Sequence, residues 1–390
     1  MAATSPEILV EGKDAARRDQ IAALTGLRGF AALVVVVVHA SSISAYPWVG
    51  FHNYGPIALF VLSGFLLFQP WSRWLLGHRD RPHIGDFARR RLWRIFPPYL
   101  AVLLIVALVY SPARPADAGS WVRNATLTHI YQYGDLRRGL YHTWSLATEI
   151  SWYVALPMLG LVMGWFVHRL RLRPLVVVLV AAACAGVLAF GWRWARYFRV
   201  EDLNLLLTMS SWLPAYAVCF LGGSVLGHIA VVRSARQGPP TTAGVAPWWP
   251  WGLTLVGLAA GITAASRLGG PWTFADTTFI ESLVRFWGML TMALALLAAA
   301  AFAPRKSLVS RLFGNGPMVA IGRWSYGLYL WHLPVMLIIY DRNGMPAGSW
   351  GLALWIGIIT VVSLPLSAAT YRFIEKPAMA YSRTLSSTSR

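Results

Sequence analysis

Long apolar stretches separated by short, arginine-rich polar ones organise this chain. Their hydropathy predicts about ten membrane-spanning helices, near residues 24–46, 55–76, 95–111, 145–167, 174–192, 205–232, 249–266, 280–303, 317–340 and 349–371. The predicted fold class is therefore an all-α, polytopic membrane protein with its helices in one bundle. The expected layout is an amino-terminal tail over 1–23, a membrane domain over 24–377 and a carboxy-terminal tail over 378–390. No internal repeat or inverted symmetry between the halves is visible, and no soluble domain stands apart. The Gly-, Pro- and Thr-rich stretch from Gln237 to Pro247 reads as a flexible loop.

Composition sharpens this picture. Apolar residues make up 57% of the 390 positions, charged residues only 13%, and there are 20 tryptophans, well outside the soluble norm. Residues 1 to 20 are polar and the first apolar run is too long for a signal-peptide core, so the amino terminus is expected in the cytoplasm. With that orientation, 21 of the 34 lysines and arginines fall on the cytoplasmic side, nine on the outer side and four within spans, which also puts the carboxy terminus inside. The net charge of +19 then reads as topology and contact with anionic lipid rather than nucleic-acid binding. Cys184 and Cys219 both lie in apolar runs, so neither a disulfide framework nor a metal site is expected.

Ionisable residues inside the spans carry the candidate chemistry, because each is costly there unless it faces protein or a wet cavity. In the first span, LTGLRGFAALVVVVVHASSISA, Arg28 and His39 are eleven residues apart. That spacing is about three helical turns, placing both on one face about 16 Å apart. Before the third span, Arg90, Arg91 and Arg94 share a helical face, and their guanidinium forks suit either phosphate or lipid headgroups. Glu149 lies about one turn inside the outer end of the fourth span. It must be protonated or paired, with an imidazole or an arginine as partner. In the ninth span Ser325, Tyr329 and His332 recur at i, i+4 and i+7, a single polar stripe. Counting the rise from the inner ends puts His39 and His332 at the same depth, about 21–22 Å up. Glu149 is expected with them in the outer half, so the three predict one site. Ser63 and Gly64 in the second span read as a small pair permitting close helix approach; a nucleophilic Ser63 has no base in its own segment.

Six blocks, LTGLRGFAALVVVVVHA, FVLSGFLL, RRRLWRIFPPY, TWSLATEISWYVALP, SYGLYLWHLP and YRFIEKP, resemble in order the signatures of the acyltransferase-3 family of bacterial membrane acyltransferases. The resemblance runs from about Leu24 to Pro377. It implies a ten-span core that moves an acyl group, usually acetyl from acetyl-CoA, onto a hydroxyl of a glycan, glycolipid, peptidoglycan sugar or macrolide. The family's arginine-ten-residues-histidine element falls on Arg28 and His39, its arginine pair on Arg91 and Arg94, and its carboxylate on Glu149. The late aromatic block falls on Tyr329 and His332, with Trp144, Ser145, Ser325 and Tyr326 in supporting places. Where relatives carry an acidic residue before the second-span Ser-Gly, this chain reads GPIALF, so that role does not transfer. The periplasmic SGNH-type domain of longer relatives is not expected, which leaves transfer to the membrane core or a separate protein.

The expected mechanism has coenzyme A phosphates on Arg91 and Arg94, with Arg28 and Arg90 beside them. His39, oriented by Glu149, is the general base or a transient acyl carrier, and Tyr329 or His332 donates to the oxyanion. The expected partners are acyl-CoA, membrane lipid and a cell-envelope glycan or glycolipid, with a macrolide-type acceptor behind these. No metal or nucleic acid is expected, and the expected location is the bacterial cytoplasmic membrane. The Trp- and Arg-rich outer stretches Trp121–His142 and Trp192–Arg199 read either as sugar-stacking surfaces or as an interfacial belt. The alternative function is a secondary transporter or lipid flippase, which inverted repeats and broken helices would accompany.

Overall fold

A computed structural model describes residues 6–49, 54–236, 249–271, 277–302, 307–348 and 350–387; the expected loop Gln237–Pro247 lies outside them. The described residues form helices without a strand: α1 Pro6–Ser42, α2 Tyr54–Leu75, α3 Ile84–Val109, α4 Ala118–Ala125, α5 Trp144–His168, α6 Pro174–Phe198 and α7 Leu203–Met209. They continue as α8 Leu213–Arg236, α9 Trp249–Ala265, α10 Phe279–Phe302, α11 Leu308–Gly314, α12 Gly316–Asn343 and α13 Gly351–Thr370; a π-turn, Tyr371–Glu375, leads into α14 Lys376–Ser387.

Eight segments among the described residues are long and apolar enough to cross a membrane: Ile21–Ser42, Pro47–Leu75, Ile84–Val109, Tyr141–His168, Pro174–Phe198, Leu203–Ala235, Phe279–Phe302 and Gly351–Leu385. The other two of the ten expected spans differ for physical reasons. The helix at 249–266 is apolar but short, Trp251–Ala265. Helix α12 has the length, yet Arg323, Ser325, Tyr326, Tyr329 and His332 dilute its hydropathy. It tolerates them because its middle, from Ser325 to Leu337, is buried throughout by its neighbours.

Helices α1 and α12 run parallel in close contact, as do α2 and α8, while α13 backs α12. Gly322 explains how near α12 comes to α1: a Cβ there would sit 2.0 Å from the Thr25 carbonyl oxygen. The expected small-residue contact at Gly64 is also present, since its Cβ would sit 1.9 Å from the Phe220 carbonyl oxygen of α8. Two apolar clusters result. One gathers Phe60, Phe65, Trp71, Trp152 and Phe220, with much of α8 and α10. The other gathers Tyr99, Val106, Leu146, Tyr329, Leu330 and Trp355. The candidate site lies on the seam between them.

Residues 110–143 fold into a cap at the end of the bundle opposite the arginine cluster. Asp117 caps α4 by accepting from the Ser120 backbone N–H at 2.7 Å. Arg123 pairs with Asp135, and the Tyr99 hydroxyl donates to the Asn124 carbonyl at 2.7 Å. Asp341 at the end of α12 accepts from the Tyr110 hydroxyl at 2.6 Å and pairs with Arg138. Beneath the cap, His129 is fully buried, with Thr143 Oγ1 at 3.2 Å from its Nε2. Burial pulls the His129 pKa down from 6.5 to about 4. A depressed histidine pKa stabilises the fold above the unfolded value and loses that stabilisation as pH falls from about 6.5 to about 4. The shift corresponds to on the order of 3 kcal/mol. Hydrogen-exchange protection factors across 110–143, corrected for the intrinsic pH dependence of amide exchange, should therefore fall through that window, and His129→Asn should flatten the dependence; an unchanged profile in the variant contradicts the assignment.

Candidate functional site

Five helices enclose a cavity of about 150 Å³ on the seam, and its polar lining comprises Arg28, Ser63, Arg91, Arg94, Ser145, Glu149, Tyr153, Ser325, Tyr326 and Tyr329. Most of the expected site residues thus meet in one place. Arg90 does not: it is exposed and lies outside the lining. At 100° per residue, Arg91, Arg94 and Ile95 span one arc of α3, and Arg90 falls off its edge. Arg90 is therefore removed from the expected donor-binding set.

Three guanidiniums surround this cavity, and among the described residues only that of Arg94 reaches a carboxylate, with Nε 3.8 Å from Glu375 Oε1. Glu375 is 2% exposed and its Oε2 has no hydrogen-bond partner. The π-turn at Tyr371–Glu375 directs it inward, a backbone feature often found at functional positions. The Arg91 guanidinium lies over the Phe87 and Tyr153 rings, 6.0 and 5.9 Å from their centroids. Its Nε has no hydrogen-bond partner among the described residues. Helix α14 braces this part of α3, packing Tyr381 on Trp93 with ring centroids 4.8 Å apart. A helix therefore occupies much of the expected carboxy-terminal tail.

Glu149 belongs to this cavity and not to the histidines, which corrects its expected role. Its carboxylate accepts from the Ser63 hydroxyl and, at 2.7 Å, from the Tyr153 hydroxyl. The depth estimate fails because the start of the fourth span is sunk below the cap: His142 and Thr143, just before α5, are 2% and 1% exposed. Counting inward from that buried start carries Glu149 about 10 Å below His142, into the cavity that Arg28 also lines. The same contact makes Ser63 a hydrogen-bonding support for Glu149.

The partner of His39 is His332. Nδ1 of His39 lies 3.1 Å from Nε2 of His332 and 2.9 Å from the Val35 carbonyl oxygen. Nδ1 of His332 lies 2.7 Å from the Tyr329 carbonyl oxygen and 3.1 Å from that of Leu328. Carbonyls only accept, so both Nδ1 atoms carry the proton. His332 Nε2 then accepts from His39, and the lone pair of His39 sits on Nε2. His332 is fully buried, whereas His39 is half-buried.

The cavity does not reach this pair, because the Tyr329 and Ser145 side chains line its end. Tyr329 donates to the His142 carbonyl, with Ser145 Oγ 3.1 Å from its hydroxyl. That commitment corrects the expected oxyanion role of Tyr329, and His332 is equally committed at both nitrogens. Tyr326 donates to the Ile95 carbonyl at 2.8 Å and ties α12 to α3. Trp144 packs on Tyr216 and Phe60, a supporting contact at the head of α5. His142, just before the predicted fourth span, and Glu375, beyond the end of the last, lie outside the apolar pattern that marks the other site residues.

A bundle of helices long and apolar enough to cross a membrane thus holds a buried imidazole pair and an arginine-lined cavity. The family model described as "Acyltransferase domain" matches residues 21–372, and the chain belongs to this acyltransferase-3 family. That membership replaces the transporter alternative with an enzyme. The chain is 24% identical over 389 residues to "O-acetyltransferase OatA" of Staphylococcus aureus, covering 91% of this chain and 56% of that protein. It is 23% identical over 389 residues to "Peptidoglycan O-acetyltransferase OatA" of Listeria monocytogenes, covering 92% and 56%. The chain thus spans little more than half the length of these relatives. No solved structure matches it.

Proposed function

We propose that this protein moves an acyl group, acetyl foremost, from acyl-CoA to a hydroxyl of a cell-envelope glycan or glycolipid. The observation that carries this reading is the His39–His332 pair on two tightly packed helices, about three turns above Arg28 and its arginine-lined cavity. The names of the relatives, one of them a peptidoglycan O-acetyltransferase, favour a glycan acceptor.

In this reading the arginine end faces the cytoplasm, and the phosphates of coenzyme A engage Arg28, Arg91 and Arg94. The flexible arm of the donor passes Tyr329 and Ser145 to bring the thioester to His39. The acceptor hydroxyl gives its proton to His39 Nε2 while its oxygen attacks the thioester carbonyl carbon. The resulting imidazolium is held by the Nδ1–H bond to His332. Collapse of the tetrahedral intermediate breaks the carbon–sulfur bond, and the departing sulfur recovers the proton from His39. The products are the ester and the free thiol. His332 plays the part a carboxylate plays in a hydrolase triad, orienting the base from behind. A neutral imidazole suits a buried, low-dielectric site, where an isolated carboxylate would be costly.

Arg94→Ala should raise the KM for acetyl-CoA by about 10–100-fold and leave kcat within a few-fold, since a charged hydrogen bond contributes roughly 1.5–3 kcal/mol. Steady-state transfer from labelled acetyl-CoA to soluble peptidoglycan fragments measures both constants. Lost turnover at an unchanged KM contradicts phosphate binding at Arg94.

A further inference from the structure

With Tyr329 and His332 committed elsewhere, the proposed reaction lacks a donor for the oxyanion that forms on the thioester carbonyl. His142 has what the chemistry needs. It lies on the turn Tyr141–Thr143 at the inner end of the cap and is 2% exposed. Its ring packs edge-on to His332, with centroids 5.0 Å apart, and against Tyr329 at 4.8 Å. Neither ring nitrogen makes a hydrogen bond; the Leu330 and Tyr329 carbonyls come near without reaching bonding geometry. A neutral imidazole always carries one N–H and one lone pair. Leaving a buried polar group unpaired is costly, so one so placed is poised for a partner from outside the chain.

The neighbouring rings narrow the assignment. In His332, Nδ1–H faces two carbonyls and Nε2 accepts from His39. In His39, Nδ1–H is used on Val35 and His332, and Nε2 is the proposed base. The Tyr329 hydroxyl donates to the carbonyl of His142 itself, which fixes the turn that carries the ring. Among the described residues His142 is thus the imidazole of this cluster with neither nitrogen in a hydrogen bond of good geometry, one ring away from the base.

We infer that His142 is a catalytic residue whose neutral ring N–H donates to the thioester carbonyl oxygen as negative charge develops there. The inference rests on the acyl-transfer reading above. In the addition step the acceptor oxygen bonds to the carbonyl carbon, the carbonyl π pair moves onto oxygen, and the His142 N–H bond to that oxygen shortens. In collapse the pair returns, the carbon–sulfur bond breaks and the sulfur takes the proton held by His39. His142 therefore ends each turnover in its starting protonation state. A preorganised donor that strengthens only in the transition state raises kcat without tightening substrate binding.

The test compares His142→Phe, His142→Gln and His142→Asn, with labelled acetyl-CoA as donor and soluble peptidoglycan fragments as acceptor. His142→Phe keeps the ring and removes both nitrogens; the two amides each return an N–H donor. Loss of one oxyanion donor lowers kcat by about 10²–10³-fold. The expected result is that loss in His142→Phe, KM values within about threefold of wild type, and recovery of at least tenfold by one of the amides. Calorimetric binding of coenzyme A, with an unaltered Kd, identifies variants that have kept their fold. A His142→Phe protein that turns over within threefold of wild type overturns the inference. So does an equal loss in all three variants that bind coenzyme A normally, because shape and not the donor would then be what matters. If His142→Phe does not bind coenzyme A, the amides decide: kcat within tenfold of wild type in either supports donation, and a hundredfold loss in both overturns it. His39→Ala, run in parallel, separates the two claims, since full turnover in that variant refutes the acyl-transfer site itself.

Discussion

Replacing His39 by alanine lowers acyl-transfer turnover by about 10²–10⁴-fold, the usual contribution of a positioned general base, while the KM for acetyl-CoA stays within a few-fold. The split follows from where the residues lie. His39 contacts His332, and the arginines proposed to bind the donor line a cavity whose lining includes Tyr329 and Ser145 but neither histidine. Removing the imidazole therefore leaves the proposed phosphate site intact and takes away the acceptor for the hydroxyl proton. His39 also stands at a half-buried position, so its truncation costs less packing than truncation of the fully buried His332. The measurement is single-turnover transfer to soluble peptidoglycan fragments, with coenzyme A binding as the fold control. Turnover near wild type shows that His39 is not the base.

Gly322→Ala should damage both stability and catalysis. A methyl group at this position would meet the Thr25 carbonyl oxygen at 2.0 Å and the Thr25 Cγ2 atom at 2.9 Å. The obstacle is backbone, which cannot rotate aside, so α1 must move away from α12. Overpacking of this kind costs roughly 1–3 kcal/mol. The larger consequence is catalytic, because α1 carries His39 and α12 carries His332, and their contact is only 3.1 Å long. A misplacement of about 1 Å costs on the order of 10²-fold in rate. The expected result is a lower melting temperature in detergent together with a hundredfold loss of kcat. Gly191→Ala on α6 is the control, since its Cβ meets no atom within 4 Å and the change should be neutral or slightly stabilising. A Gly322→Ala protein that melts and turns over like wild type would show that the tight α1–α12 contact does not set the histidine geometry.

The legible part of the site follows directly from helical geometry. Arg28 and His39 announce themselves as charges in an apolar run, and Ser325, Tyr329 and His332 as a stripe. The depth estimate for His39 and His332 holds because α1 and α12 run parallel from one end of the bundle with the same rise, and the two rings touch. It fails for Glu149 because hydropathy marks where a helix turns apolar, while the folded cap buries that boundary through His142 and Thr143. Arg90 shares a face with Arg94 in projection, but the cavity opens on the Arg91 side of that face. His142 reads as loop, and nothing in its neighbourhood reveals that the loop is buried. Glu375 points at Arg94 only because a π-turn interrupts the last helices, and no hydrophobic pattern encodes that. Helix count divides in the same way: eight segments declare themselves by hydropathy, whereas α12 hides its length behind the polar residues it buries.

The most direct measurement places purified protein in liposomes with labelled acetyl-CoA and soluble peptidoglycan fragments. Alkali-labile label on an acceptor hydroxyl, formed by the wild-type protein and lost in His39→Ala, is the predicted result. Label that stays in acetyl-CoA or appears only as free acetate, or ester formed equally well without His39, would contradict acyl transfer at this histidine.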